Sequence, residues 1–183
     1  MYAAHSHQEF LDWYQPLHEQ FVRYCSSRSY GVIETEDLVQ EVILAALEGF
    51  AKVRDKERLL GYMIGVANNM IRNKKRRLKF RGDWDQQAFE KLESQQLDPE
   101  VALDIHYLLK AIEQLPEKQK EALLLFEVSG FSIREISQIQ GASEAAIKTR
   151  LSRCRKKLKT LLAEDQRPMS MAQRLAIFSS LLF

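Results

Sequence analysis

Cysteine is nearly absent from this 183-residue chain: Cys25 and Cys154 are the only two. Two thiols cannot build a disulfide framework, and neither has the CxxC or Cys/His spacing of a zinc site. The four histidines, His5, His7, His18 and His106, are scattered, which argues against a metal centre or a histidine-based catalytic group. With seven glycines and four prolines among long Leu/Ala/Glu/Lys/Arg runs, the chain has little turn chemistry for a sheet protein. No apolar run approaches the ~18 residues of a membrane span. The first residues carry His5, Glu9 and Asp12 where a secretory signal would need a basic start and an apolar stretch. The expectation is a cytoplasmic, all-α protein with no cofactor and no membrane insertion.

Net charge is also small, +2, but its distribution is uneven. Residues 72–81 and 148–159 hold seven Lys/Arg each, so 14 of the 27 basic residues occupy 22 positions. Between the clusters, residues 83–104 carry Asp83, Asp85, Glu90, Glu93, Asp98, Glu100 and Asp104 against Lys91 alone. Two basic modules joined by an acidic connector is the simplest reading, and a polyanion is the natural partner.

Apolar spacing then places the helices. Phe10, Leu11, Tyr14, Leu17, Phe21 and Tyr24 form one face of a helix over 8–27, and "SSRSYG" at 26–31 reads as a break. Thr35 is placed to cap the next helix, with Glu36 and Asp37 in its first turn. Val39, Val42, Ile43, Ala46 and Phe50 then make a buried stripe. Residues 56 to about 80 predict a further helix, apolar at Met63, Val66, Ala67, Met70 and Ile71 before it turns basic. Residues 82–97 lack a sustained period and read as a linker, in which Trp84 and Phe89 are candidates for docking. Asp98-Pro99 restarts a helix through 114, Pro116 opens another, and "VSG" at 128–130 closes it. The fold expected is two helical bundles joined by a flexible linker, the C-terminal one containing a helix-turn-helix. The boundaries are 1–82, an acidic linker over 83–103, 104–165, and an amphipathic tail over 166–183.

Residues 132–158 carry the strongest signal. Ser132 with Glu135 makes a capping box for the short helix "SIREISQI", Gly141 permits a tight reversal, and Ser143 caps a long basic helix to about Leu162. Ile133, Ile136 and Ile139 face the bundle opposite Ala146, Ile147, Leu151 and Leu158. That leaves Glu144, Ala145, Lys148, Thr149, Arg150, Ser152, Arg153, Arg155 and Lys156 outward. Lys148 and Arg153 have donors able to reach guanine edges, while Arg150, Arg155, Lys156 and Lys157 suit phosphate. A merely solvated basic helix is the bland competitor; cap, glycine turn and one-sided charge together favour DNA.

At this point the sequence resembles a known family. "AIEQLPEKQKEALLLFEVSGFSIREISQIQGASEAAIKTRLSRCRKKLKTLL", 111–162, is similar to region 4 of bacterial sigma factors, the module that reads the −35 promoter element. "TEDLVQEVILAAL", 35–47, resembles the core-binding region 2.2, and "YMIGVANNMIRNKKRR", 62–77, resembles regions 2.3 and 2.4, which capture the −10 element. The short linker points to the extracytoplasmic-function (ECF) group of the sigma-70 family.

The resemblance implies −35 contacts from Lys148, Thr149, Arg150, Arg153, Arg155 and Lys156. For the −10 element it implies Asn68, Asn69 and Asn73 as amides that capture an unstacked base, with Lys74, Lys75, Arg76 and Arg77 clamping the backbone. Amides suit base capture because they donate and accept without a charge to desolvate. Asp37, Leu38, Gln40 and Glu41 match the surface that docks on the β′ clamp helices of core RNA polymerase, with Leu38 and Val39 supporting from beneath. Region 4 is expected to meet the β flap, and an anti-sigma factor is an expected regulator. Tyr62 stands where the family usually has tryptophan, and Gly65 where a basic residue is common.

The function expected is therefore a dissociable initiation subunit that binds polymerase, recognises both promoter elements and helps to open the duplex, with no active site of its own. A free-standing helix-turn-helix regulator with an N-terminal dimerisation or sensing bundle is the alternative; it has no need of a second basic helix with three asparagines. A nucleic-acid enzyme lacks a nucleophile in a recognisable setting and a paired-carboxylate metal site. In the tail, Met171, Leu175, Phe178 and Leu182 recur at i, i+4, i+7 and i+11. They predict an amphipathic helix that docks on the protein's own surface or meets a partner such as an anti-sigma factor.

Overall fold

A computed structural model describes residues 2–53, 55–79, 97–163 and 169–182. Most of the expected linker, with Trp84 and Phe89, lies outside the described residues, as do Phe80 and Arg81 of the first basic cluster. The described residues form nine α-helices and no strand.

Four helices make the N-terminal bundle: α1 (Tyr2–Tyr14), α2 (His18–Ser29), α3 (Thr35–Gly49) and α4 (Leu59–Lys79). The single helix expected over 8–27 is two, because Pro16 falls in a 3₁₀ turn over Gln15–Leu17 and cannot donate a helical hydrogen bond. Leu11, expected on the buried face, is 48% exposed. The segment read as a break is instead the end of α2, and Ser26 through Tyr30 are all buried. Nor does Thr35 cap α3: Glu34 holds the extended N-cap position, and the Thr35 hydroxyl lies 3.2 Å from that of Ser29. The core is aromatic and aliphatic. Phe10, Phe21, Tyr24, Leu38, Val42, Ala46, Phe50, Met63, Ala67 and Ile71 are all buried.

The second bundle comprises α5 (Pro99–Glu113), α6 (Glu117–Glu127), α7 (Ile133–Gln140) and α8 (Glu144–Ala163). Asp98 caps α5 by accepting from the Glu100 amide at 2.9 Å. At α7 the Ser132 amide donates to Glu135 at 2.8 Å and the Glu135 amide donates to Ser132 Oγ at 3.2 Å, satisfying two otherwise orphaned donors. Gly141 then takes a left-handed conformation, φ 59°, where a β-carbon would be strained. Ser143 Oγ accepts from Ala146 N at 3.2 Å and starts α8. Ile136, Ile147, Leu151, Cys154 and Leu158 close the core of this motif, with Ile133 and Ile139 half-buried.

The last helix, α9 (Met171–Leu181), lies against α5 and buries Arg174, Leu175 and Phe178. The two bundles are in contact: α2 packs on α6, and α4 packs on α7. Gly61 of α4 lies close to α7, since a β-carbon there would sit 3.5 Å from the Ile139 carbonyl oxygen.

Candidate nucleic-acid interface

Helix α8 is divided by its own periodicity. At about 100° per residue, Ile147, Leu151, Cys154 and Leu158 fall on one side and are buried, while Ala145, Lys148, Thr149, Ser152, Arg153 and Lys156 fall on the other and are exposed. Thr149 spends its hydroxyl on the Ala145 carbonyl, 2.9 Å away, which leaves its methyl as the outward group. Two of the expected DNA ligands are held by the protein. Arg150, half-buried, donates to Gln140 Oε1 at 2.5 Å. Arg155 donates twice to Glu127, at 3.1 and 2.6 Å, and lies over the Phe126 ring. Lys148, Thr149, Arg153 and Lys156 are thus the forward face, and Arg150 and Arg155 its braced flanks.

Helix α4 is divided differently. Asn69, Asn73, Lys74, Arg76 and Arg77 are exposed, with Arg72 donating to the Asn69 side chain. Asn68 and Lys75 instead face the second bundle. Asn68 Oδ1 accepts from the Tyr24 hydroxyl at 2.8 Å and from Arg28 Nε at 3.2 Å, and its amide donates to Glu121 at 2.8 Å. Lys75 donates to Glu113 at 2.6 Å. Burial pulls the Lys75 ammonium below its usual range, only partly offset by Glu113. Burial would raise Glu113, but Lys75 and Lys120 outweigh it and hold the carboxyl below the ordinary value. Arg28 completes the seam by pairing with Glu117. The same groups, with Gly65 and Arg72, line a cleft of about 590 Å³ between the bundles.

On α3, Asp37, Gln40, Glu41, Leu44 and Glu48 are all exposed and share a face at helical spacing. Leu38, expected to support that face from beneath, is fully buried at 0% exposure and packs under it. The thiols are set apart from all of this. Burial raises both, Cys25 strongly and Cys154 to about 11.

Residues 13–81 match the family model of sigma-70 region 2, and residues 105–158 match that of sigma-70 region 4. The ECF RNA polymerase sigma factor EcfG of Rhodopseudomonas palustris (strain TIE-1) is 30% identical over 139 residues, covering 76% of this chain and 77% of that one. The chain belongs to the ECF sigma factors of the sigma-70 family. Its function is promoter recognition in transcription initiation.

ECF sigma factor SigD of Mycobacterium tuberculosis (strain H37Rv) is 27% identical, over 83% of this factor and 74% of its own length. Among solved structures, the sigma factor RpoE in complex with the anti-sigma factor NepR from Bartonella quintana has a TM-score of 0.53 and 26% identity. It covers 85% of this chain and 99% of that one. Both region matches stop short of α9, which lies outside the matched residues.

Sequence reasoning missed the seam. Arg28 was hidden in a segment read as a break, and Glu113, Glu117 and Glu121 drew no reading at all. Local spacing gave little signal: Glu117 and Glu121 share a face of α6, but Glu113 ends α5 and the chain turns before Glu117.

Proposed function

We propose that this sigma factor engages core RNA polymerase through the Asp37, Gln40 and Glu41 face of α3, with Leu38 beneath it. It reads the −35 element with Lys148, Thr149, Arg153 and Lys156, braced by Arg150 and Arg155. Asn69 and Asn73 take an extruded −10 base, while Lys74, Arg76 and Arg77 hold the backbone; Asn68 and Lys75 join them once the seam opens. Region 4 is assigned to the β flap, and an anti-sigma factor of the kind bound to RpoE is the expected regulator. The factor contributes no active site, because nucleotide chemistry belongs to the polymerase, and it works where the polymerase does, in the cytoplasm. No helix among the described residues is long and apolar enough to cross a membrane.

The observation that carries this reading is one exposed basic helix per bundle, on a chain that also presents an acidic helix face. A dissociable subunit must hold two separated elements of one duplex and the enzyme together. Transcription in vitro with core polymerase and a library of promoter fragments tests it: initiation at sites sharing spaced −35 and −10 elements is the expected result. A chain that footprints a palindrome without polymerase, and supports no initiation, would overturn it.

A further inference from the structure

The closed arrangement of the bundles cannot occupy a promoter. Asn68, Glu121, Gln140 and Arg150 are joined by three consecutive hydrogen bonds of 2.8, 2.8 and 2.5 Å. The −10 amide and the −35 guanidinium therefore lie on the order of 10 Å apart. The elements they are assigned to are centred about 25 base pairs apart, which is about 85 Å of duplex at ~3.4 Å per pair. Two of the −10 ligands, Asn68 and Lys75, are moreover bonded to carboxylates of the second bundle. The bundles must separate before both elements are read.

Helix α9 touches both bundles. Its capping box, Ser170 with Gln173, fixes where it begins. Arg174, 1% exposed, lies 3.2 Å from Asp104 of α5, itself 2% exposed, and its Nε donates to the Met169 carbonyl at 3.0 Å. That buried ion pair seats the helix on the second bundle. One turn further on, Phe178 is fully buried and meets Tyr30 of the first bundle edge-on, ring centroids 5.6 Å apart. Phe178 and Tyr30 line one small cavity with Ser27, Arg28, Leu109 and Leu124, at the junction of α2, α5 and α6. A helix outside the matched sigma regions is thus anchored on one module and inserted against the other, directly beside the Arg28–Glu117 and Lys75–Glu113 pairs.

We infer that α9 is an autoinhibitory latch: docked, it keeps regions 2 and 4 closed through the Phe178–Tyr30 contact, and its release frees the factor for polymerase and promoter. The inference rests on the sigma-factor reading for its consequence and on the contacts alone for its mechanics. Detachment solvates Asp104 and Arg174 together, so neither charge is stranded in the open form. The closed population lowers apparent affinity by the fraction that is open, and unlatching returns that factor.

The test uses the full chain. Phe178→Ala and Asp104→Ala should each enlarge the radius of gyration in X-ray solution scattering while helicity by circular dichroism persists. Affinity for core polymerase should rise roughly tenfold if about a tenth of the wild-type factor is open. Because the loss of Phe178 also bares apolar surface, a second variant tests closure itself. Gly61→Cys with Ile139→Cys places two thiols where a position-61 β-carbon would lie 3.6 Å from the residue-139 Cα, and non-reducing electrophoresis verifies the bridge after oxidation. Oxidation should abolish promoter-dependent initiation and reduction restore it, while buried Cys25 and Cys154 stay reduced.

Tail variants as compact as the wild type would overturn the latch, as would a bridged factor that initiates as well as its reduced form. Open variants that gain nothing in polymerase affinity would remove the inhibitory role. A factor that binds polymerase in no form would instead refute the functional reading, since the scattering comparison decides the mechanics separately.

Discussion

Glu121 accepts a hydrogen bond across the seam from Asn68, and Glu121→Gln isolates its charge. The side chain is 4% exposed and accepts from the amides of Asn68 and Gln140, both at 2.8 Å, with Lys118 at 3.5 Å. Glutamine keeps the shape but has one acceptor oxygen for two donor amides. If the oxygen stays with Gln140, the new amide nitrogen faces the Asn68 nitrogen, donor against donor. Asn68 cannot flip to relieve this without giving up the bonds its oxygen accepts from Tyr24 and Arg28. The lost interaction is a hydrogen bond to a charged group, about 1.5–3 kcal/mol, and it exists only when the bundles touch. Closure should therefore weaken roughly 10- to 150-fold, at 1.4 kcal/mol per decade. A donor–acceptor dye pair, one on each bundle, reads the closed fraction, and circular dichroism monitors the helices. An unchanged closed fraction would refute the reasoning, as would a loss of transfer that only accompanies loss of helix.

Further outcomes follow from the surfaces. Lys148→Ala and Arg153→Ala should each weaken promoter use by ~1–3 kcal/mol in a manner that depends on −35 sequence; equal losses over all −35 variants in a competition assay would mark them as phosphate ligands only. Asp37→Lys should abolish co-purification with core polymerase while the melting temperature stays within a few degrees, because the residue is exposed; retained binding would move the docking face elsewhere. Glu113 is held low by Lys75 and Lys120, so its contribution to closure is complete above the ordinary carboxylate range and fades as pH falls through the lowered value. Dye-pair titration should show the wild type opening in that window more than Glu113→Gln does. An identical acid response would assign the closure to other groups.

Much of the local structure was legible because its causes are local. The Ser132–Glu135 box and the left-handed Gly141 act within a few residues, so one sequence window contains the whole interaction. The stripes of α3, α4 and α8 follow from helical geometry alone, and the outward set on α8 follows with them. The failures are equally physical. Pro16 divided a helix whose apolar spacing ran straight through it. Leu11 departed from expectation because a helical wheel gives a face, and only the neighbours decide whether that face is covered. Of the expected −10 ligands, Asn68 and Lys75 have the same sequence character as Asn69 and Lys74, yet the ~100° rotation between adjacent helix positions aims them at carboxylates of another bundle.

The sequence by itself determined most of the helices, the caps at Asp98, Ser132 and Ser143, the basic face on each bundle and the family to which they belong. Each of these is written in short-range spacing and in the order of motifs along the chain. Only the tertiary structure decided that the bundles close on one another. It also decided that Arg28 meets Glu117 across 89 positions and that the last helix seats Phe178 on Tyr30. A carboxylate forty or ninety residues away carries no local mark of its partner. Docking is set by which surfaces fit once the helices exist.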